Sequence, residues 1–319
     1  MRVALYRLEP YDNIALDKLK IYHEFQGDTV EEYMPLLNDQ YDKIYCSSIF
    51  SFTPKDNLLI DERWDCGGTG FDIYKKLPPE IDSIKPRKNY GKCMEGCNNK
   101  CKFCVVHRKE GKAKAAGDLY DIWNGNEDDK NLTLYCNNIL QLEDHFQMLC
   151  AQARKEKFRI DWNQGLDIRL VNSDVAAELK SISHVEYHFA FDDLKIEKLV
   201  RRGVKILDSH GINRSIFYAI IGFESDIFED IYRLEIIREL KQTAYVMRYR
   251  KADPEMPEGR IVKKYETVYN SIARWGNNKG WFTRLSFSEW LQLPDNEHRY
   301  KAKFEALGLW DKLTKGVSK

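Results

Sequence analysis

The stretch Gly96-Cys97-Asn98-Asn99-Lys100-Cys101-Lys102-Phe103-Cys104 sets three thiols at C-x3-C-x2-C spacing. Cysteine thiolates are the preferred ligands of iron–sulfur clusters, and a loop this short can turn three of them to one side. Cys97, Cys101 and Cys104 would hold three irons of a 4Fe-4S cluster, which leaves the fourth iron open to the nitrogen and oxygen atoms of a small molecule. Cys93 and His107 flank the triad, so a tetrahedral zinc site of Cys and His is the competing reading of the same residues.

Composition narrows the setting. Eight cysteines in 319 residues are too sparse for a disulfide framework. Met1-Arg2-Val3-Ala4-Leu5-Tyr6-Arg7 meets charge, and then Pro10, before a signal-peptide core could form, so the expectation is a reducing, cytoplasmic protein. The longest apolar run, around residues 216–223, falls short of a membrane helix, and no membrane partner is expected. A content of 43% hydrophobic residues over this length suits two domains, or one with a substantial appendage. Lys and Arg number 50 against 50 Asp and Glu, so any basic patch for nucleic acid must be local.

Working outward from the cysteines, residues 2–8 read as a strand and residues 15–25 as an amphipathic helix. Gly27-Asp28-Thr29-Val30 leads into a second strand, and residues 41–47 form a third. With the later turn Gly67-Gly68-Thr69-Gly70, which could also cradle a phosphate, this describes a small open α/β sheet over residues 1–85. Lys85-Pro86-Arg87-Lys88-Asn89 is the linker. Residues 113–123 and 141–155 read as helices. Strands are expected at 131–136, 158–163, 185–191, 215–221 and 244–247. With one strand before Cys97 that makes about six parallel strands alternating with helices. Ligands in such folds gather at the C-terminal strand ends, where Asn137, Asn138, Gln164, Asp167, Arg169, Asp192 and Asp193 recur.

The cysteine loop and the segment Ile220-Ile221-Gly222-Phe223-Glu224-Ser225-Asp226 resemble the signature loop and fifth-strand motif of the radical S-adenosylmethionine (SAM) enzymes. The resemblance spans about residues 90–250. It implies a (β/α)6 partial TIM barrel over residues 86–250 and a cluster on Cys97, Cys101 and Cys104 whose open iron chelates SAM. One electron then breaks a carbon–sulfur bond to give a 5'-deoxyadenosyl radical. Phe103 is expected beside adenine; Asn137, Arg169, Asp192, Gly222 and Glu224 are the further expected SAM contacts. A reduced flavodoxin or ferredoxin-type donor is the implied electron partner. No catalytic side chain is named, and the substrate, whether small molecule, peptide or nucleic acid, is left open.

Residues 1–85 are similar to the Rossmann-like cobalamin-binding domain that precedes many of these barrels. Cobalamin would be the natural carrier if a methyl group is delivered. The Asp-x-His-x-x-Gly motif that supplies the cobalt ligand is absent, however, and His23 is the only histidine there. The methylthiotransferase branch is also similar, but only Cys46 and Cys66 precede Cys93, too few for the second cluster of that branch.

The helical C-terminal extension expected over residues 251–319, with the residues just before it, interleaves cations with aromatics, as in Arg248-Tyr249-Arg250, Lys263-Lys264-Tyr265, Arg274-Trp275 and Lys279-Gly280-Trp281-Phe282. Such a surface could stack bases; equally, a helical tail could bury the rings and leave the cations in water. The alternative to a radical SAM enzyme is accordingly a zinc-stabilised nucleic-acid-binding protein that uses this tail.

Overall fold

The computed structural model describes residues 1–316. It divides into two compact units: residues 1–135 with 251–256, and residues 136–250 with the chain from Pro257 onward. The first division differs from a boundary at residue 85, because the expected linker is bonded into the first unit. Arg87 pairs with Glu24 at 2.6 Å, Lys88 with Asp12, and the Tyr90 hydroxyl donates to Asp17.

The first unit opens with a parallel sheet of β1 (Arg2–Arg7), β2 (Thr29–Glu32), β3 (Lys43–Ser47) and β4 (Trp64–Gly67), in the order β2-β1-β3-β4. Both faces are covered, as parallel sheets require. Alternation along β1 sends Val3 and Leu5 against Leu16, Leu19 and Ile81, while Ala4 packs with Tyr41, Ile44, Cys46 and Trp64. Helix Ile14–Phe25 starts where the Asn13 side chain accepts from Leu16 N at 3.1 Å. Strand order reverses between β1 and β3, the switch point where open α/β sheets bind ligands. Beyond it, β5 (Tyr90–Gly91) pairs in parallel with β8 (Asn131–Leu134), and β6 (Met94–Glu95) pairs antiparallel with β7 (Lys114–Ala115). The helix expected over residues 113–123 is therefore a strand followed by the short helix Leu119–Ile122. Pairing with Met94 and Glu95 overrides local propensity there.

Glu9 organises the loop that follows β3. Its buried carboxylate accepts from Ser48 Oγ at 2.9 Å, Ile49 N at 3.0 Å, Phe50 N at 3.2 Å and Thr53 Oγ1 at 2.5 Å. Burial alone would raise its pKa, but the four hydrogen bonds outweigh burial and hold it below the usual value. A carboxylate with a depressed folded-state pKa stabilises the fold above its unfolded pKa, and that contribution is lost as pH falls through the folded value. Glu9→Gln should cost about 1–3 kcal/mol at pH 7, because an amide cannot accept from every donor. In urea melts the gap to wild type should narrow below about pH 4, as the wild-type carboxyl protonates.

The second unit alternates strands with helices. Helix Glu143–Glu156 precedes β9 (Arg159–Asp161), and Ser173–Ser181 leads to β10 (Ser183–His184), which pairs in parallel with β9. The parallel strands β11 (His188–Ala190), β12 (Ile216–Ile221) and β13 (Thr243–Arg248) follow, separated by helices Glu197–Ser209 and Ile227–Glu239. A single bridge joins Leu166 to Phe189. One face of these strands, comprising Ile160, Phe189, Phe217, Ala219, Ile221 and Val246, is buried, whereas alternate residues are half-buried or, at Arg159 and Tyr245, exposed. The architecture is thus mixed α/β with parallel sheets.

The C-terminal segment is helical from Glu266 to Thr314 in five pieces. Its rings form a core: Trp275, Phe282, Phe287, Trp290, Tyr300, Phe304 and Trp310 are all buried, and Trp275 Nε1 donates to Leu285 O at 3.0 Å. A base-stacking surface built on them is therefore not what these residues form. Among the described residues no helix is long and apolar enough to cross a membrane.

Candidate cluster loop and cofactor sites

The β6–β7 hairpin closes the loop that carries the cysteine triad. Glu95 pairs with Lys114 at 3.1 Å, Ala116 N donates to Cys93 O at 2.9 Å, and Cys97 N donates to Gly111 O at 3.0 Å. Gly96 N donates to Glu110 Oε2 at 3.0 Å, while Glu110 Oε1 holds Lys92 at 2.6 Å. Within the loop, a turn brings Cys104 N to Cys101 O at 3.1 Å, and Val106 N points at Cys104 Sγ at 3.5 Å. The short helix Val106–Lys109 is anchored through Arg108, which pairs with Asp253 at 3.3 Å and with Glu255.

Cys97, Cys101, Cys104 and Phe103 are all half-buried. Cys97 lines an open pocket of about 410 Å³ with Asn98, Lys100, His107, Gly111 and Lys112, and His107 Nδ1 is buried there without a hydrogen-bond partner. Cys93, in contrast, is fully buried. Among the described residues no three His, Cys, Asp or Glu side chains converge as ligands of one metal ion. A cluster asks for less convergence, since each thiolate takes an iron of its own. Three accessible thiols on a closed loop, one receiving a backbone N–H, are a donor set that fits it.

A second pocket in the same unit measures about 660 Å³. Its lining includes Tyr45, Ser47, Gly67, Gly68, Lys75 and Tyr120, so it opens at the C-terminal ends of β3 and β4, beside the switch point. The glycines form a tight turn whose backbone is satisfied internally: Ser48 N donates to Gly67 O at 3.1 Å and Gly70 N to Ser48 O at 2.8 Å. The size and polar rim suit part of a large cofactor. A cobalt ligand is another matter. His23 Nδ1 lies 2.7 Å from Asp28 and Nε2 3.0 Å from the Tyr45 hydroxyl, so both ring nitrogens are committed to the core.

In the second unit the strand-end residues hold one another. Asn138 is buried and its Oδ1 accepts from Asp167 N at 3.2 Å; Arg169 grips Asp167 with two bonds, at 2.8 and 2.5 Å. Asp192 accepts from Ile220 N at 2.7 Å and lies 4.0 Å from Arg233, and burial pushes its carboxyl up. Arg233 is itself buried, donating to Phe191 O at 2.8 Å, Ile220 O at 2.6 Å and Asp230 at 2.6 Å. Gly222 donates to Asp230 at 2.7 Å, and a Cβ there would come within 2.3 Å of Ile261 Cγ1. The close approach that this glycine permits is thus by a side chain of the same unit. Asn137 is half-buried and Glu224 exposed.

The half-buried face of the strands carries a group that the sequence reading passed over: Asp161 on β9, His188 on β11 and Tyr218 on β12. The signal was available as polar or hydroxylated residues alternating with Ile160, Phe189, Phe217 and Ala219. What hid it was that the three lie far apart in sequence.

No protein-family model matches the chain, and no curated protein matches it. Among solved structures, the chain is similar to a radical S-adenosylmethionine methyltransferase, TsrM from Kitasatospora setae, whose structure holds cobalamin and a [4Fe-4S] cluster. The TM-score is 0.56 at 11% sequence identity, over 78% of this chain and 75% of that one. The likeness is one of fold, and it is in keeping with the fold that the resemblance of the cysteine loop implied.

Proposed function

We propose that the protein is a radical SAM enzyme that delivers a methyl group, with cobalamin as carrier, to a substrate of unidentified structure. The observation that carries the proposal is the triad Cys97, Cys101, Cys104, closed by the β6–β7 hairpin in a chain whose fold is like that of TsrM. A 4Fe-4S cluster, when bound, supplies an open iron for SAM and the electron that breaks its carbon–sulfur bond. The strands of the second unit are read as part of the (β/α)6 barrel.

The chain's own contributions follow from the site. The three thiols hold the cluster. Val106 N, aimed at Cys104 Sγ, lowers the cost of thiolate charge, because a backbone dipole favours an anion. Glu110 bridges Gly96 and Lys92 and so fixes where the loop begins. Ser47, Gly67 and Lys75 would meet the edge of the corrin, bound without a histidine from residues 1–85. In the second unit Asn137 and Glu224 keep their assignment to SAM, whereas the space beside Gly222 is taken by Ile261 and Asp192 is held by Ile220 N and Arg233. Arg169 would have to exchange Asp167 for a SAM carboxylate before it could take part.

The deciding experiment is anaerobic reconstitution with iron and sulfide, followed by SAM, reductant and cobalamin, with 5'-deoxyadenosine and S-adenosylhomocysteine measured by mass spectrometry. Cys101→Ala should lose cluster iron and reduce both products to background. S-adenosylhomocysteine that depends on cobalamin would support methyl transfer; deoxyadenosine alone would point to a radical reaction without it. A colourless protein that keeps zinc and makes neither product would hand the chain to the binding-protein reading.

A further inference from the structure

We propose that Asp161 and His188 form a seat for a substrate heteroatom that carries both a hydrogen and a lone pair, as an alcohol or an azole N–H does. Asp161 Oδ1 and His188 Nδ1 face each other at 3.7 Å. Both atoms are buried, and neither has a hydrogen-bond partner. Native structures rarely leave such groups open, since each costs about 1–3 kcal/mol when unpaired. Here an acceptor and a ring nitrogen able to donate are left open side by side.

The pair does not close on itself, and the neighbouring rings give the reason. The His188 ring lies flat on Tyr218, with centroids 5.2 Å apart and planes inclined by 6°. Tyr218 is held in turn, because its hydroxyl donates to Asn163 O at 2.7 Å. Swinging His188 toward Asp161 would break that stack. The distance of 3.7 Å exceeds an N–H···O bond, yet one bridging heteroatom can stand about 2.8 Å from both ends. It would donate to Asp161 and accept from His188.

The surroundings suit an organic ligand. Tyr245 meets Tyr218 edge-on at 5.8 Å, and more than half of Tyr245 is exposed, which adds an apolar wall beside the polar seat. Burial raises the Asp161 carboxyl, with His188 and a hydrogen bond from the Asn163 side chain opposing the shift, so the open position is at Oδ1 alone. The inference deepens the enzymatic reading, since it describes the substrate that such an enzyme would take. It makes no use of the cluster or of SAM.

The test uses the full chain with isotope-labelled histidine, free of cluster and SAM, and two probes of similar shape. Pyrazole carries N–H beside a lone pair, and 1-methylpyrazole has that hydrogen blocked. His188, assigned from His188→Gln, should shift on titration with pyrazole. Its apparent Kd should be at least about tenfold below that of the methylated probe, the equivalent of 1.4 kcal/mol. Asp161→Asn, close to isosteric, should abolish the preference. Equal affinities for the two probes in the wild-type chain, or a His188 signal that neither moves, would overturn the proposal without reference to any variant's folding. Because deoxyadenosine formation is measured separately, a failure of the radical SAM reading and a failure of this seat are distinguishable.

Discussion

Arg233→Met is expected to destabilise the second unit by about 3–5 kcal/mol, the usual cost of removing one partner of a buried ion pair. The guanidinium joins three elements: it caps Phe191 O and Ile220 O at the ends of β11 and β12 and pairs with Asp230 on helix Ile227–Glu239. Met restores much of the volume but leaves two carbonyls and two carboxylates, Asp192 and Asp230, short of a donor. Burial already pushes Asp230 up to about 6, against the pull of Arg233, Ser225 Oγ and Gly222 N. A carboxyl with a raised folded-state pKa favours the fold when protonated, and that advantage fades as pH rises through the folded value. The deficit of Arg233→Met, measured by urea melts, should therefore be smaller at pH 5 than at pH 7.5. A deficit of equal size at both pH values would mean that lost packing, not uncompensated charge, is the cause. Asp230→Asn in the same background should recover part of the loss, since it removes the stranded charge.

The second large effect is expected at Gly96. This residue has φ +73°, and a Cβ added there would stand 2.1 Å from Lys112 O and 2.7 Å from Gly111 O. Those are backbone atoms of the opposing hairpin arm, so no side-chain rotation relieves the clash. An L-residue in the left-handed region costs about 1–2 kcal/mol by itself, and the hairpin must open in addition. Because Cys97 N is bonded to Gly111 O at 3.0 Å, opening moves the first ligand of the triad. Gly96→Ala should accordingly lose most of its bound iron and sulfide after reconstitution while far-UV circular dichroism stays near wild type. Gly111→Ala is the control: it shares the positive φ, at +79°, but its Cβ would meet nothing within 4 Å. It should cost the backbone strain alone and retain iron. Equal iron loss in both variants would show that strain, rather than closure of the hairpin, controls the site.

The local features were legible in the chain because they rest on neighbours in sequence. The triad needs only a short loop and three thiols. Strand and helix positions in residues 1–47 follow from alternation and capping, and β12 follows from an apolar run ending at Gly222. The parallel α/β class came from strands alternating with helices, which the structure shares. The failures have a common cause in pairing across sequence. Residues 113–123 have helical propensity, yet Lys114 and Ala115 pair with Glu95 and Met94 and become a strand. Of the two readings of the aromatic and basic tail, the structure adopts the helical one with buried rings, because burying seven large rings removes much apolar surface from water.

By itself the sequence determined the cysteine loop, the open parallel sheet of the first unit and the lack of a histidine motif for cobalt. Only the tertiary structure decided which polar groups are spent and which are left open. Asp192, Arg169 and His23 looked available and are held by Ile220 N, Asp167 and Asp28. Asp161 and His188 carried no motif and face each other with open valences. A side chain's chemistry is written in the chain, but whether its hydrogen bonds are satisfied depends on partners that only folding brings within 3 Å or so.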